Sequence, residues 1–451
     1  MLPDILTNLW VALPNTLQDT AILVALLLPT VVIALWVSRG LAPGALTTSM
    51  LRRFAPVNLV FIGLVALSVA LGVGLTAQER ALRQGSARAA DKFDLIVTAP
   101  GSEITSLLTA VYLQPNDLPL LSGAQYAEIE QADGVSFAAP LAFGDNWQGH
   151  PVVGTTADFV THLSDDRIAG RMFSAHEEAV AGAFAPVEIG DEVVPSHGAV
   201  EIEAEVHDDE DGHDDHEHHD IHYKVVGKLP PTGSPWDRAI LVPVEIVWEL
   251  HGLANGHNAA TAEQIGPPFT PDLFPGTPAV LIKPEQIYQS YALRTQFSRA
   301  DMMAFFPGAV LSQLHGLAAD VRAAMSLLTI VSQILVAVAI LAGLMMIARL
   351  FARNLAVLRA LGAAPRFLLA VVWSYAATLL TIGTVLGLGL GIGAAAMLSR
   401  ILTARTSIQI SAAPGWTELH LAAGFLTLAL LCALLPALLA MRRSPLRDLR
   451  S

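Results

Sequence analysis

The sequence predicts a membrane α-helical protein of about five transmembrane helices, with a large inserted α/β domain on a helical stalk. Three observations lead there. The 451 residues are 53% hydrophobic and 15% charged, with a mean hydropathy of +0.52. That is too apolar for a wholly soluble chain and too charged for a wholly embedded one. Five apolar runs of bilayer length stand on either side of one long polar stretch. Finally, 36 of the 40 acidic residues but only 13 of the 26 basic ones fall in residues 78–325, so the remaining bases flank the apolar runs. An acidic insert of this kind repels nucleic acid and anionic lipid and attracts cations. The single cysteine, Cys432, lies in the last apolar run and supports no disulfide and no cysteine-based metal site.

Residues 1–18 contain Asp4 and no Lys or Arg. The following stretch, 19–38, is longer than a signal-peptide core and lacks a basic leader and a cleavage site. It is expected to be a transmembrane helix, with an interfacial helix as the alternative; Pro29 is tolerable because membrane helices accept proline. Residues 39–56 read as a short loop carrying Arg39, Arg52 and Arg53, and residues 57–77 as a second span that continues as a polar helix through Arg80.

Further spans are expected at 325–350, 367–399 and 420–441, the middle one long enough to tilt. A basic segment, 351–366, joins the first two, an outer loop, 400–419, joins the last two, and a basic tail, 442–451, ends the chain. Loops rich in Lys and Arg stay cytoplasmic. Three arginine groups satisfy this together: Arg39, Arg52 and Arg53; then Arg349, Arg353, Arg359 and Arg366; then Arg442, Arg443, Arg447 and Arg450. They share one side only with five spans and the N-terminus outside. The acidic domain then faces outward, and Arg400 and Arg405 count mildly against the scheme.

Residues 78–324 alternate strand-like and helix-like runs. Phe93–Thr98, Ala199–Val206, Ile221–Val226 and Ala239–Pro243 read as strands, Pro230–Pro235 as a turn cluster and Val244–His251 as a helix. Leu311, Leu314, Leu317, Val321 and Met325 recur at spacings of three and four, one face of a stalk helix leading into the third span. There is no internal repeat.

Between two of these strands lies a run from His207 to His222 holding six of the 14 histidines and eight Asp or Glu. Imidazole and carboxylate are ligands for Zn²⁺, Cu²⁺ and Ni²⁺. His207, His213, His216, His218, His219 and His222 are therefore the candidate metal ligands, on what reads as an insertion at a hairpin tip. A solvated acidic loop is the alternative. Nearby acid raises the histidine pKa and opposes metal binding at low pH. The scattered His150, His162, His176, His197, His251 and His257 read as surface or core residues, and Glu245, Glu249 and His251 as a solvated helix face.

The segment Leu358-Arg-Ala-Leu-Gly-Ala363, directly after a span, and the ending Pro436…Arg442-Arg443…Pro445…Leu449-Arg450 resemble the MacB/FtsX-like permeases of bacterial ABC transporters, a group that includes the LolC and LolE permeases. Val225-Val-Gly227, Asp237 and Leu241-Val-Pro243 are similar to the outer domain of that family. The resemblance implies an inner-membrane permease that dimerises, pairs with a separate cytoplasmic ATPase and passes its motion to the outer domain. It implies that 351–366 is the coupling helix, with Arg353, Asn354, Arg359, Leu361, Gly362 and Arg366 at the ATPase contact. Two features depart from the pattern. Asn354 stands where the family has Glu, and the helix at 19–38 is additional to the family's four spans.

The chain is not expected to be the enzyme of such a machine. None of its four lysines, Lys92, Lys224, Lys228 and Lys283, lies in a Gly-x-x-x-x-Gly-Lys-Ser/Thr loop, so ATP would act only through the partner. The spans carry no Asp, Glu, Lys or His at their centres, which disfavours an ion path through them. The loop links the expected transport to zinc or another transition metal and to a periplasmic metal-binding protein. The alternatives are export or extraction of a lipoprotein, peptide or lipid, and non-transporting regulation of a periplasmic enzyme.

Overall fold

The computed structural model describes residues 10, 12–197, 222–350, 357–406 and 408–442. In chain order it begins with three helices: α1 (Asn15–Ser38), α2 (Gly44–Arg53) and α3 (Ala55–Ala89). Then come β1 (Leu95–Thr98), α4 (Glu103–Ala110), α5 (Gly123–Glu130), β2 (Val135–Pro140), β3 (Ala142–Trp147), β4 (His150–Thr155) and α6 (Ala157–Ser164). Four short strands follow, β5 (Ala169–Gly170), β6 (Glu178–Ala181), β7 (Glu192–Val193) and β8 (Ser196–His197), then β9 (Tyr223–Lys228), β10 (Ile240–Pro243), α7 (Val244–Leu250), β11 (Val280–Pro284), α8 (Gln289–Phe297) and β12 (Met303–Phe305). The chain returns to long helices with α9 (Pro307–Leu350), α10 (Pro365–Thr406), α11 (Trp416–Cys432) and α12 (Leu434–Arg442). It divides into a helical unit, Met1–Leu82 with Ala319–Arg400 and Ser411–Ser451, and an α/β unit, Arg83–Ala318 with Ile401–Ile410.

Among the described residues of the whole chain, four helices are long and apolar enough to cross a membrane: Asn15–Ser38, Ala55–Ala89, Pro365–Thr406 and Trp416–Leu438. The fifth expected span falls in α9, where Gln333–Gly343 is the apolar stretch described. Residues 39–56, expected as a loop, contain α2 instead. Thr47 and Met50 are buried, and Leu46 and Leu51 pack beside Met50, so one face of this short helix is turned inward. The polar continuation of the second span is likewise longer than expected and stays helical to Ala89.

The helical unit is built on a stripe of glycines. Gly383, Gly387 and Gly391 recur every four residues on α10 and face α3. A Cβ at Gly383 would stand 2.6 Å from Val65 Cβ, at Gly387 2.6 Å from the Ala66 carbonyl oxygen, and at Gly391 2.7 Å from that of Ala70. Lipid offers apolar side chains no hydrophobic gain from association, so helices there associate through close backbone packing. Several polar groups at this packing are paired, while Ser68 and Thr384 are buried there with no hydrogen-bond partner among the described residues. Asn58 Nδ2 donates to the Leu51 carbonyl at 2.9 Å and Asn58 Oδ1 accepts from the Tyr375 hydroxyl. Ser399 Oγ donates to Gln78 Oε1 at 3.1 Å. The fully buried Glu418 takes Arg80 at 3.1 Å and reaches back to the Gly415 amide at 2.9 Å, which caps α11.

Helix α1 packs on α11, some 400 residues away in sequence. Thr30 and Thr427 hydroxyls meet at 2.9 Å, Thr427 Oγ1 also donates to the Leu26 carbonyl at 2.7 Å, and His420 Nε2 donates to the Asp19 carbonyl at 2.9 Å. Pro29 has no N–H for the Ala25 carbonyl, and the Thr427 hydroxyl bonds the next carbonyl along, Leu26, at this weakened turn.

The α/β unit holds two sheets. One is four-stranded and antiparallel, in the order β12-β1-β11-β2. The other is mixed, in the order β5-β9-β6-β10-β4-β3-β8, with β7 also on β9; its parallel pairs are β10 with β4 and β6 with β9. Strand residues alternate between two cores. Leu95, Val97, Ile240, Val242, Val280 and Ile282 enter one, and Ile96, Leu241 and Leu281 the other. Both faces are covered, so these strands read as continuous apolar runs. Leu311 is buried and Leu314 half-buried at the start of α9, as the stalk stripe predicts, while the side chains of Leu317, Val321 and Met325 lie outside the description. Asp237 is buried and gathers the 230–235 turn, accepting from the Thr232 amide at 2.7 Å and the Gly233 amide at 2.8 Å. A Cβ at Gly227 would stand 2.3 Å from the Arg171 carbonyl oxygen, which explains the glycine there.

Candidate coupling site

The hexapeptide Leu358–Ala363 is a helix stop. The Ala363 amide donates to the Leu358 carbonyl and the Gly362 amide to the Arg359 carbonyl, both at 3.0 Å. Gly362 sits at φ +96°, where a side chain is strained. This pair of bonds around a left-handed glycine is a Schellman ending. Two residues on, Pro365 opens α10 at its first position, where a missing N–H costs nothing. Leu358 and Ala363 turn inward against the core that holds Leu368, Leu369 and Met50. Leu361 is 80% exposed, an apolar side chain at the tip of the turn.

Arg366 is not a free cation. Its guanidinium donates to the Trp36 carbonyl at 3.2 Å and lies 5.6 Å from the centre of the Trp36 ring, tying the end of α1 to the start of α10. Of the predicted contact residues, Arg359, Leu361, Gly362 and Arg366 are therefore gathered around one turn, and Arg353 and Asn354 lie outside the described residues. Sequence reasoning missed Trp36 and α2, which belong to the same end of the bundle. Leu46 and Met50, four apart, were the available signal.

Of the six candidate metal ligands, His222 is described and exposed, immediately before β9; His207, His213, His216, His218 and His219 lie outside the described residues, as does the expected strand Ala199–Val206. At the foot of the excursion, Glu192 pairs with Lys224 and Val193 with Tyr223 in antiparallel register. Among the described residues no three potential ligands come together in a way that could hold a metal ion.

The expected solvated face on α7 holds for Glu249 and His251, which are exposed, but is corrected at Glu245. Glu245 is fully buried, because residues 251–279 fold back over the helix. Its Oε1 accepts from the Gly266 amide at 2.5 Å and stands 3.5 Å from Nε2 of His257, whose side chain is also buried. Burial pushes the Glu245 carboxyl up to about 7 and holds the His257 imidazole below its ordinary range. Glu249, on the next turn, is partly exposed, accepts from Asn255 at 2.8 Å and lies 3.9 Å from His176.

Comparison with known proteins bears on the C-terminal third first. Residues 325–445 match the family described as FtsX-like permease C-terminal. Among solved structures, the periplasmic region of MacB from Actinobacillus actinomycetemcomitans aligns at 8% identity over 51% of this chain and 95% of that one, with a TM-score of 0.30. The extracellular domain of the noncanonic ABC-type transporter YknZ from Gram-positive bacteria aligns at 12% identity over 47% of this chain and 98% of that one, with a TM-score of 0.26. No curated protein matches the chain. The Schellman turn falls within the matched segment, so residues 325–445, which contain it, are similar to the C-terminal domain of FtsX-like permeases.

Proposed function

We propose that this chain is the membrane subunit of an ABC transporter of the MacB/FtsX type in the bacterial inner membrane, working as a dimer with a separate cytoplasmic ATPase. The observation that carries the reading is the turn at 358–363. It leaves Leu361 exposed on a hydrogen-bonded helix stop, within the FtsX-like segment and among arginines that favour the cytoplasmic side. An exposed aliphatic side chain can serve as an anchor in a hydrophobic pocket on a partner. ATP closure in the partner would push on this turn, and the outer domain would move in response.

Leu361→Asp should abolish co-purification with the ATPase and its stimulated hydrolysis while leaving thermal stability unchanged. Wild-type association by that variant would remove the basis of the assignment.

For the cargo, the composition of residues 207–222 supports a link to zinc or another transition metal, received from a periplasmic metal-binding protein. The test is ATP hydrolysis by the complex in nanodiscs, titrated with zinc, with and without residues 207–222. A zinc response lost with the loop supports metal as an input. Zinc-blind hydrolysis in both would favour extraction of a lipoprotein, peptide or lipid, or regulation of a periplasmic enzyme.

A further inference from the structure

The buried pair on α7 has a geometry that packing alone does not explain. Glu245 Oε2 and His257 Nε2 have no hydrogen-bond partner among the described residues, although both side chains are almost completely buried. A buried carboxylate with one oxygen left unsatisfied is costly unless it carries a proton or shares one. Oε1 and Nε2, 3.5 Å apart, are close enough to do so after a small shift.

The pair also joins two elements. Glu245 belongs to the first turn of α7, and His257 to the irregular segment 251–279, which has no strand or α-helix of its own. The far part of that segment is held by aromatic packing: Phe269 and Phe274 lie 5.5 and 4.9 Å from Trp248, and Phe274 stacks on Tyr126 at 4.8 Å. The near part is tied to α7 by His257, by the Gly266 amide on Glu245 and by Asn255 on Glu249.

We propose that Glu245 and His257 form a proton-dependent clasp: with one proton held between them, residues 253–266 are seated on α7, and without it that part of the segment loosens. The other titratable groups facing the pair are Glu249 on the same helix, His176 before β6, and Tyr126 on α5, which feels Glu245 together with Glu130 and Asp158. Glu249 adds to the penalty for ionising Glu245, and His176 to the penalty for charging His257.

A carboxyl that binds its proton more tightly when seated stabilises the seated form fully below the ordinary carboxylate range and loses that contribution as pH rises through about 7. His257 acts in the opposite sense below the ordinary histidine range, so the gain on acidification levels off there.

The test uses the full chain in nanodiscs. Amide exchange of residues 253–266, corrected for the intrinsic pH dependence of exchange, should slow by about three- to tenfold between pH 8 and pH 6.5, since up to one proton is taken up on closing. Infrared difference spectra over the same range should show one carboxyl becoming protonated, a band absent in Glu245→Gln. That variant keeps an acceptor for Gly266 and should have a flat exchange profile. His257→Gln should move the carboxyl's midpoint. A wild-type chain with no carboxyl titrating between pH 6 and pH 8, an exchange profile that Glu245→Gln leaves unchanged, or a midpoint unmoved by His257→Gln would each overturn the clasp.

Discussion

Gly362 carries its conformation in a way no other residue can. An L side chain in the left-handed region costs about 1–2 kcal/mol, and the cost here would fall on the turn that presents Leu361. Gly362→Ala should therefore lower ATPase stimulation several-fold in the reconstituted complex, with only a small fall in thermal stability; an unchanged stimulation would separate the turn from coupling. A second residue-scale prediction concerns acid. Arg171 and the Ser174 amide, at 2.6 and 2.8 Å, hold the Glu178 carboxyl down at about 2. Its contribution is complete above the ordinary carboxylate range and lost as pH falls through about 2. Glu178→Gln should make thermal stability less sensitive to pH between about 4.5 and 2.5. The sequence made Gly362 legible, because a glycine just past an apolar helical run and shortly before a proline is a stop signal. Glu245 was not legible. What buries it is a segment with no periodicity, and only the three-dimensional path of 251–279 shows that it returns to α7.

At the scale of elements, the glycine stripe makes a contrast that one measurement can read. Gly387→Ala would place a methyl group 2.6 Å from a backbone oxygen on α3, which cannot rotate away. Overpacking of this kind costs about 1–3 kcal/mol. Gly389, two residues on, has nothing within 4 Å, and alanine there should be neutral or stabilising. Comparable melting temperatures for the two variants would mean that α3 and α10 do not pack as described. Apolar runs announced α1, α3, α10 and α11 clearly, because length and hydrophobicity suffice for that. Which helix lies against which was hidden. The partners Thr30 and Thr427 are single hydroxyls far apart in the chain, and neither shows a pattern of its own.

For the whole molecule, the separation of charge is the readable quantity. Acid is concentrated in the insert and arginine beside the apolar runs, and the arginines predict the orientation without reference to any contact. The single native cysteine makes the test direct. In a Cys432→Ala background, a cysteine replacing Asp208 should react with a membrane-impermeant thiol reagent in intact cells, and one replacing Ser451 only after permeabilisation. The reverse pattern would invert the topology and, with it, the placing of the coupling turn. The mixed α/β character of the insert was legible from its alternating runs; the sheet orders were not, since strands such as β5, β7 and β8 are two residues long and take their places from their neighbours.

The pairing of α1 with α11 also has a consequence in time. Translation at about 5–20 residues per second leaves α1 in the membrane for tens of seconds before α11 is made. Throughout that interval the carbonyl at Leu26, one turn before Pro29, lacks the Thr427 hydroxyl, and a late helix completes an early one.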